Sequence, residues 1–181
     1  MRKVARRNLW APWRIQYIRG PKTPGCVFCG ALEAARDRDN LLVRRGQHVF
    51  VILNRYPYNV GHLLVTPVRH VASPEELGAE EAAELWSMLT LCKGALDAEF
   101  SPQGYNVGLN VGAAAGAGIA DHLHLHVVPR WVGDTNFMPV LGDVGVVSQH
   151  LLDVYDALVS RLETGENRPL CKTSRLGGSG P

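Results

Sequence analysis

The fold of this 181-residue chain is decided by the stretch Asp121-His-Leu-His-Leu-His-Val-Val-Pro-Arg130, which places histidines at positions 122, 124 and 126. Successive side chains of a strand point to opposite sides, so the two leucines turn to the core and the three imidazoles share one face, spaced roughly 6.6 Å apart. Imidazole serves as nucleophile, proton carrier or metal ligand near neutral pH. An ordinary exposed face would instead mix Thr, Lys and Glu. The stretch therefore predicts a strand with a reactive face.

The rest of the chain supplies neighbours for this strand. Runs of β-branched and apolar residues bounded by turns predict further strands at 41–43, 49–53, 62–66 and 105–111. Ser73-Pro74-Glu75-Glu76 has the pattern of a capping box and predicts the start of a long helix through Phe100. A last helix is predicted near 147–162. We expect an α+β fold whose antiparallel sheet has the long helix and the C-terminal helix on one face and the histidines on the open face.

Composition is that of one ordinary soluble domain, with 46% hydrophobic and 20% charged residues. We expect this domain over residues 26–163 and, because residues 164–181 are rich in Gly, Ser and Pro, a disordered tail there. Residues 1–25 lack the continuous apolar segment that is typical of a signal peptide, and no other apolar run is long enough to span a bilayer. We therefore expect a cytoplasmic protein with no membrane partner.

Residues 1–25 form a basic N-terminal arm. The net charge is only +2, yet seven basic residues precede the first acid, Glu33. Such an arm would either meet phosphates or act as a solvated tail. We do not expect a nucleic-acid partner, because no groove of alternating aromatic and basic residues accompanies the arm. Its aromatic residues, among them Trp10 and Trp13, instead predict packing on the domain or on a second subunit.

One metal ion cannot bind all three histidines of the strand. The Cα atoms of His122 and His126 would lie about 13 Å apart, whereas zinc binds nitrogen at about 2.0 Å. A second donor set exists in Cys26-Val-Phe-Cys29 and His70. Together with His122 these residues would close a tetrahedral structural zinc site. A redox Cys-x-x-Cys remains an alternative, although the strand-to-helix context of thioredoxin is missing.

His124 and His126 are then left for chemistry, with His62 near the adjacent strand. A neutral imidazole attacks phosphorus in line, and neighbouring N–H donors stabilise charge on the phosphate oxygens. The glycine-rich loop at 112–118 fits, since bare backbone N–H groups approach a phosphate closely. Glycine and alanine runs also form plain turns, and neither a P-loop nor G-x-G-x-x-G is present.

The motifs resemble those of the histidine triad (HIT) superfamily of nucleotide hydrolases and transferases. The pattern His-φ-His-φ-His-φ-φ, where φ is an apolar residue, matches 122–128, and the segments 50–55 and 61–67 resemble the family's earlier strand pair. Leu9-Trp-Ala-Pro-Trp-Arg14 and the segment 126–137 resemble the bacterial branch that contains diadenosine tetraphosphate phosphorylases and related hydrolases. The similarity extends over roughly residues 8 to 163.

This resemblance implies a two-step covalent mechanism on diadenosine polyphosphates. His124 would attack the α-phosphate and form a nucleotidyl-histidine, His126 would hold the phosphate oxygens, and His62 would support the nucleophile. A backbone carbonyl would fix the tautomer of the nucleophile. Asn54 would contact the ribose and Asn110 the phosphates, although either asparagine would also suit a plain turn. The zinc set of Cys26, Cys29, His70 and His122 also matches some family members.

The sequence departs from the family just before the triad. Many relatives carry Gln followed by Ser or Thr there, whereas this chain has Ala117-Gly118-Ile119. The donor to the leaving group is therefore unassigned, and the backbone N–H groups of Gly116 and Gly118 would substitute for the hydroxyl. Trp131 would narrow the pocket, or else pack in a dimer.

The leading hypothesis is a nucleotidyltransferase that uses inorganic phosphate as acceptor and converts diadenosine tetraphosphate into ADP and ATP. One alternative is a hydrolase of diadenosine tetraphosphate or of other nucleotide conjugates, with water as acceptor. The others are a non-catalytic nucleotide-binding module and a zinc hydrolase in which the histidine strand binds an open catalytic metal. The last is disfavoured because the cysteine pair closes the site. No organic cofactor is expected. Relatives are commonly homodimers joined through the long helix, which makes Trp86 a candidate contact.

Overall fold

The computed structural model describes residues 25–134 and 149–163. The arm at 1–24, the segment 135–148 with the predicted helix start at Val147, and the tail at 164–181 lie outside the described residues.

A five-stranded sheet forms the centre of the protein, in the order β1-β2-β3-β5-β4. All four neighbouring pairs are antiparallel, which confirms the predicted α+β class. The strands are β1 (Leu42–Arg45), β2 (Val49–Leu53), β3 (Leu63–Pro67), β4 (Gly104–Leu109) and β5 (Leu125–Arg130). The second strand agrees with the predicted bounds and the others differ by one to three residues at their ends.

The helices are α1 (Val27–Glu33), α2 (Asp37–Asn40), α3 (Ala79–Phe100) and α4 (Leu151–Glu163), with 3₁₀ turns at Pro74–Glu76 and Ala113–Ala115. The long helix was predicted to begin at Pro74, which is wrong. Glu76 does accept the N–H of Ser73, but this box opens only the 3₁₀ turn because Leu77 is extended. The long helix starts at Ala79, where Glu81 accepts the N–H of Gly78 at 2.7 Å.

The two long helices pack on one face of the sheet. Leu85, Met88, Cys92 and Leu96 of α3 are buried there, as are Leu158 and Leu162 of α4. On the strands this face carries Val51, Val65, Leu125 and their cross-strand neighbours. In the described part of the chain, no helix is both long enough and apolar enough to cross a membrane.

The other face carries the histidines. Leu64 lies opposite His126, which in turn lies opposite Gly108 on β4. Phe28 of α1 is buried against this face and contacts the rings of His122 and His124. The predicted separation into a helix face and a histidine face is confirmed, but the histidine face is not open, because α1 packs on it and His62, His122 and His124 are buried.

The histidine strand is shorter than predicted, because β5 begins only at Leu125. Before β5, the chain is held by individual hydrogen bonds rather than by a ladder. The N–H of Leu123 donates to the carbonyl of Val71 at 2.6 Å, and the hydroxyl of Thr66 donates to the carbonyl of Leu123 at 2.8 Å. His122 and His124 therefore lie outside the regular ladder, where their backbone is free to adopt a different geometry.

Gly61 sets the course of the chain just before His62, the histidine that comes from outside the histidine strand. Gly61 has a φ of +73°, and a Cβ at this position would lie 2.8 Å from Cδ2 of Leu96. Both the left-handed backbone and the close approach require glycine. His62 follows directly and lies just before β3 rather than within it, and its side chain is fully buried.

Candidate active site and metal-binding cluster

His124 is held in the tautomer that a nucleophile needs. Its Nδ1 lies 2.8 Å from the carbonyl oxygen of His122. A carbonyl only accepts, so Nδ1 carries the proton and the lone pair of the neutral ring is on Nε2. Burial lowers the pKa of His124, against an opposing effect of that carbonyl. The ring is therefore neutral and nucleophilic at neutral pH.

His62 and His126 form a second imidazole pair. Nε2 of His62 lies 2.9 Å from Nδ1 of His126, and the ring centroids are 5.2 Å apart. His62 was predicted to support the nucleophile, and the imidazole to which it hydrogen-bonds is that of His126. The ring of His126 also contacts that of His124, at a centroid distance of 4.9 Å. Three imidazoles are thus packed in one row.

The direction of the hydrogen bond between His62 and His126 follows from the partners of the other ring nitrogen of His62. Its Nδ1 lies 3.1 Å from the backbone nitrogen of Tyr58 and 3.2 Å from Nδ2 of Asn54. The amide of Asn54 is oriented by the N–H of Tyr56, which donates to its Oδ1 at 3.0 Å. Two donors thus point at Nδ1 of His62, so this atom is the acceptor and Nε2 donates to His126. His126 in turn carries its proton on Nε2 when neutral.

His62 is kept neutral by its surroundings. Burial is the main cause that lowers its pKa to about 3, and the neighbouring His126 and His124 add to the effect. At neutral pH the ring therefore carries one proton, on the atom that faces His126. The direction of the hydrogen-bond chain from Tyr58 to His126 is fixed as a result.

The four predicted metal ligands lie together. The donor atoms of Cys26, Cys29, His70 and His122 are all within 4.8 Å of one another. Nδ1 of His122 lies 3.3 Å from Sγ of Cys26 and 3.6 Å from Sγ of Cys29. Nδ1 of His70 lies 3.4 Å from Sγ of Cys29 and 3.2 Å from Nδ1 of His122. The cluster could hold a metal ion.

The spacing and the tautomer of the cluster fit a tetrahedral ion. Bonds of about 2.0 Å to nitrogen and 2.3 Å to sulfur place tetrahedral donors about 3.3 to 3.8 Å apart. Nε2 of His122 donates to the carbonyl of Pro67 at 2.9 Å, which leaves the lone pair on Nδ1. The sequence predicted these four residues as one metal site, and the structure places their donor atoms together.

Of the other predicted site residues, Asn54 is hydrogen-bonded to His62, and the rest stand after strand ends or in the loop before His122. Asn110 directly follows β4, and Trp131 directly follows β5. Gly116 and Gly118 are exposed in the loop that precedes His122, and the N–H of Gly116 donates to the carbonyl of Ala113. Substrate contacts of these residues, and of Asn54, stay predictions.

Two aromatic residues of the site were not found by sequence reasoning. The ring of Tyr58 covers His62 and His126 at centroid distances of 4.7 and 6.0 Å, and the residue is 49% exposed. Phe28 lies inside the Cys-x-x-Cys segment and touches the ring of His124. Tyr58 stands in a turn where an exposed aromatic carries no signal. The position of Phe28 between two ligands was the only available hint.

A salt-bridged turn closes the end of β5. Asp134 accepts two bonds from the guanidinium of Arg130 and one from Asn59 at 2.9 Å. It also accepts the N–H of Trp131 at 3.1 Å. This carboxylate, whose side chain is only 9% exposed, fixes the turn that carries Trp131.

Comparison with known proteins gives the following relatives. A family model described as the HIT domain matches residues 36–132. A protein named AP-4-A phosphorylase from Mycobacterium tuberculosis is 41% identical over 155 residues, covering 81% of this chain and 79% of the relative. A zinc-bound histidine triad family protein from Mycobacterium smegmatis superimposes with a TM-score of 0.61 at 24% identity, covering 77% of this chain and 94% of that one. A hypothetical histidine triad nucleotide-binding protein from Sulfolobus tokodaii superimposes with a TM-score of 0.59 at 25% identity, covering 77% of this chain and 90% of that one.

Replacing His62 with Gln is expected to reduce the pH dependence of stability. Because the pKa of His62 is about 3 in the folded protein and 6.5 without burial, only the unfolded chain binds this proton between those values. The contribution to stability is complete above pH 6.5 and is lost as the pH falls towards 3, by up to about 1.4 kcal/mol per pH unit. Urea unfolding at pH 7, 6 and 5 should show a steeper loss for the wild type than for His62→Gln.

The matched control is His150→Gln, which replaces an exposed histidine in the same way. Its free energy of unfolding should follow pH as the wild type does. If His62→Gln and the wild type have equal slopes, His62 is not buried in the neutral form.

Proposed function

The chain belongs to the histidine triad (HIT) family, and from this premise we propose that it cleaves diadenosine polyphosphates such as diadenosine tetraphosphate through a nucleotidyl-histidine on His124, with inorganic phosphate as acceptor. The observation that carries the proposal is the 2.8 Å hydrogen bond from Nδ1 of His124 to the carbonyl of His122, which leaves the lone pair of the neutral ring on Nε2. The 41% identity to an AP-4-A phosphorylase supports the substrate class.

The first step transfers a nucleotidyl group to the enzyme. Nε2 of His124 attacks the α-phosphorus, the bond from this phosphorus to the bridging oxygen breaks, and ATP leaves with the bonding electrons. A polyphosphate leaving group departs as an anion, so it depends on charge neutralisation more than on a general acid. The Nε2–H of His126 donates a hydrogen bond to a non-bridging oxygen of the α-phosphate, because its neutral tautomer carries the proton on Nε2.

The second step regenerates the histidine. An oxygen of inorganic phosphate attacks the same phosphorus, the bond to Nε2 breaks, and ADP is released. With water as acceptor, the same intermediate gives AMP instead. We assign Asn54, Asn110, Gly116, Gly118 and Trp131 to substrate binding. Asn54 is hydrogen-bonded to His62, and Asn110 follows Leu109, which pairs with Leu125 between two of the histidines. The assignments of Gly116, Gly118 and Trp131 rest on the sequence.

The cluster of Cys26, Cys29, His70 and His122 is proposed to bind zinc. Two thiolates and two imidazoles at tetrahedral spacing are the donor set of closed structural zinc sites. Zinc would supply a cross-link between the start of α1, the end of β3 and the segment before β5. Because all four positions are taken by protein, the metal would take no part in the reaction.

A homodimer is proposed to form through α3 and β4. Within the described residues, β4 is an edge of the sheet, and its Val107 and Leu109 are 44% and 36% exposed. These side chains line an apolar groove with Trp86, which is 61% exposed. An exposed edge strand beside an apolar groove favours an isologous contact with a second copy.

Replacing His124 with Ala is expected to abolish turnover of diadenosine tetraphosphate. Wild-type protein with inorganic phosphate should give ADP and ATP, which chromatography separates from AMP. Without phosphate the wild type should gain the mass of one adenylyl group, and His124→Ala should gain none, because the attacking nitrogen is missing. AMP and ATP as the products in the presence of phosphate would make the protein a hydrolase. Nucleotide binding without labelling would make it a binding module.

Replacing Cys29 with Ser is expected to remove bound zinc and lower the melting temperature, because an alcohol is a much poorer zinc ligand than a thiolate. Mass spectrometry of the metal should give one zinc per chain for the wild type and well under one for the variant. Cys92→Ala is the control, since Cys92 is buried outside the cluster. A full equivalent of zinc in Cys29→Ser would contradict the assignment.

Replacing Trp86 with Glu is expected to convert the dimer into a monomer. A buried interface tryptophan contributes about 2 kcal/mol or more, which corresponds to a dissociation constant raised at least about thirtyfold. Light scattering after size exclusion measures the mass. Val132→Glu alters a residue that is 88% exposed away from the groove and should leave the mass unchanged. A monomeric wild type would refute the dimer.

A further inference from the structure

Phe28 connects the metal-binding cluster with the proposed nucleophile. It stands between Cys26 and Cys29, in the first turn of α1. Its ring centroid lies 5.3 Å from that of His122 and 5.2 Å from that of His124, and the residue is only 2% exposed. One side chain of the Cys-x-x-Cys segment therefore packs on both a metal ligand and the nucleophile.

His122 makes a second connection through its backbone. Its Nδ1 belongs to the metal-binding cluster, while its carbonyl accepts the proton on Nδ1 of His124. A shift of this backbone would move the acceptor that sets the tautomer of His124. The ring of His124 is thus oriented by one hydrogen bond at its edge and by contacts with the rings of Phe28 and His126.

The segment that carries both connections has little support from the sheet. His122 to His124 precede β5, and Leu123 is held by one backbone bond to Val71 and one from the hydroxyl of Thr66. A ladder would fix such a backbone by regular pairs of bonds. Here the side chain of His122, anchored in the cluster and to the carbonyl of Pro67, holds the segment instead.

We propose that Phe28 is a positioning residue for His124: the metal-binding segment holds its ring against the imidazole, and loss of the metal releases both Phe28 and the carbonyl of His122. This proposal rests on the proposed function of His124. In-line attack needs the lone pair of Nε2 aligned with phosphorus, and misplacement by about 1 Å costs about a hundredfold in rate. The cluster thereby acts on the geometry of the reaction without touching substrate.

The test compares Phe28→Leu with Phe50→Leu. Both variants remove an aromatic ring from the buried core. Of these two phenylalanines, only Phe28 has a ring contact with His124 in the described part of the chain. With zinc bound in both variants, kcat for diadenosine tetraphosphate should fall about ten- to a hundredfold in Phe28→Leu, with KM within about twofold of wild type. Phe50→Leu should keep kcat. If Phe28→Leu fails to fold, Phe28→Met takes its place.

A readout without substrate is the tautomer of His124, measured by nitrogen-15 NMR of histidine-labelled protein. Zinc-loaded wild type should show a single form with the proton on Nδ1. Phe28→Leu and chelator-treated wild type should both show a mixture of tautomers or broadened signals from the ring nitrogens of His124. An unchanged spectrum in Phe28→Leu would overturn the role of Phe28, and an unchanged spectrum without metal would overturn the coupling to the cluster. Absence of turnover in wild type would refute the proposed function alone, because the spectra decide the positioning role separately.

Discussion

The short antiparallel ladder between β3 and β5 is the constraint on which the site depends. Only Leu63, Leu64 and Val65 pair with the partner strand, at Val127, His126 and Leu125. This ladder joins the β1-β2-β3 part of the sheet to the β5-β4 part, and it places His62, just before β3, beside His126. Because it ends at Leu125, the chain before it can fold back so that the carbonyl of His122 meets the ring of His124.

The direction of each hydrogen bond in the site follows from groups that can only donate or only accept. The backbone N–H of Tyr58 makes Nδ1 of His62 an acceptor, and the carbonyls of His122 and Pro67 make their imidazole partners donors. Burial then disfavours a second proton on His62, His122 and His124. The imidazoles of His62, His122 and His124 thus have fixed and different hydrogen-bonding roles, although they are chemically the same side chain.

Sequence reasoning reached the main elements because they depend on local patterns. The alternation of histidine with apolar residues gave the two faces at β5, and the pairing of cysteines with His70 gave the cluster. It failed where competing contacts override a local signal. The box at Ser73 and Glu76 is a genuine cap, but extended Leu77 and Gly78 interrupt the helix, which then starts at a second cap.

The sequence by itself determined the strand with its histidines, the helix-covered face and the resemblance to the HIT family, because these follow from periodicity and from motifs of fixed spacing. Only the tertiary structure decided that His62 hydrogen-bonds to His126, that the ring of Tyr58 covers this pair and that Phe28 contacts the rings of both His122 and His124. The reason is physical: these contacts join segments far apart in the chain, and the tautomer of each imidazole depends on which donor or acceptor the folded backbone brings to it.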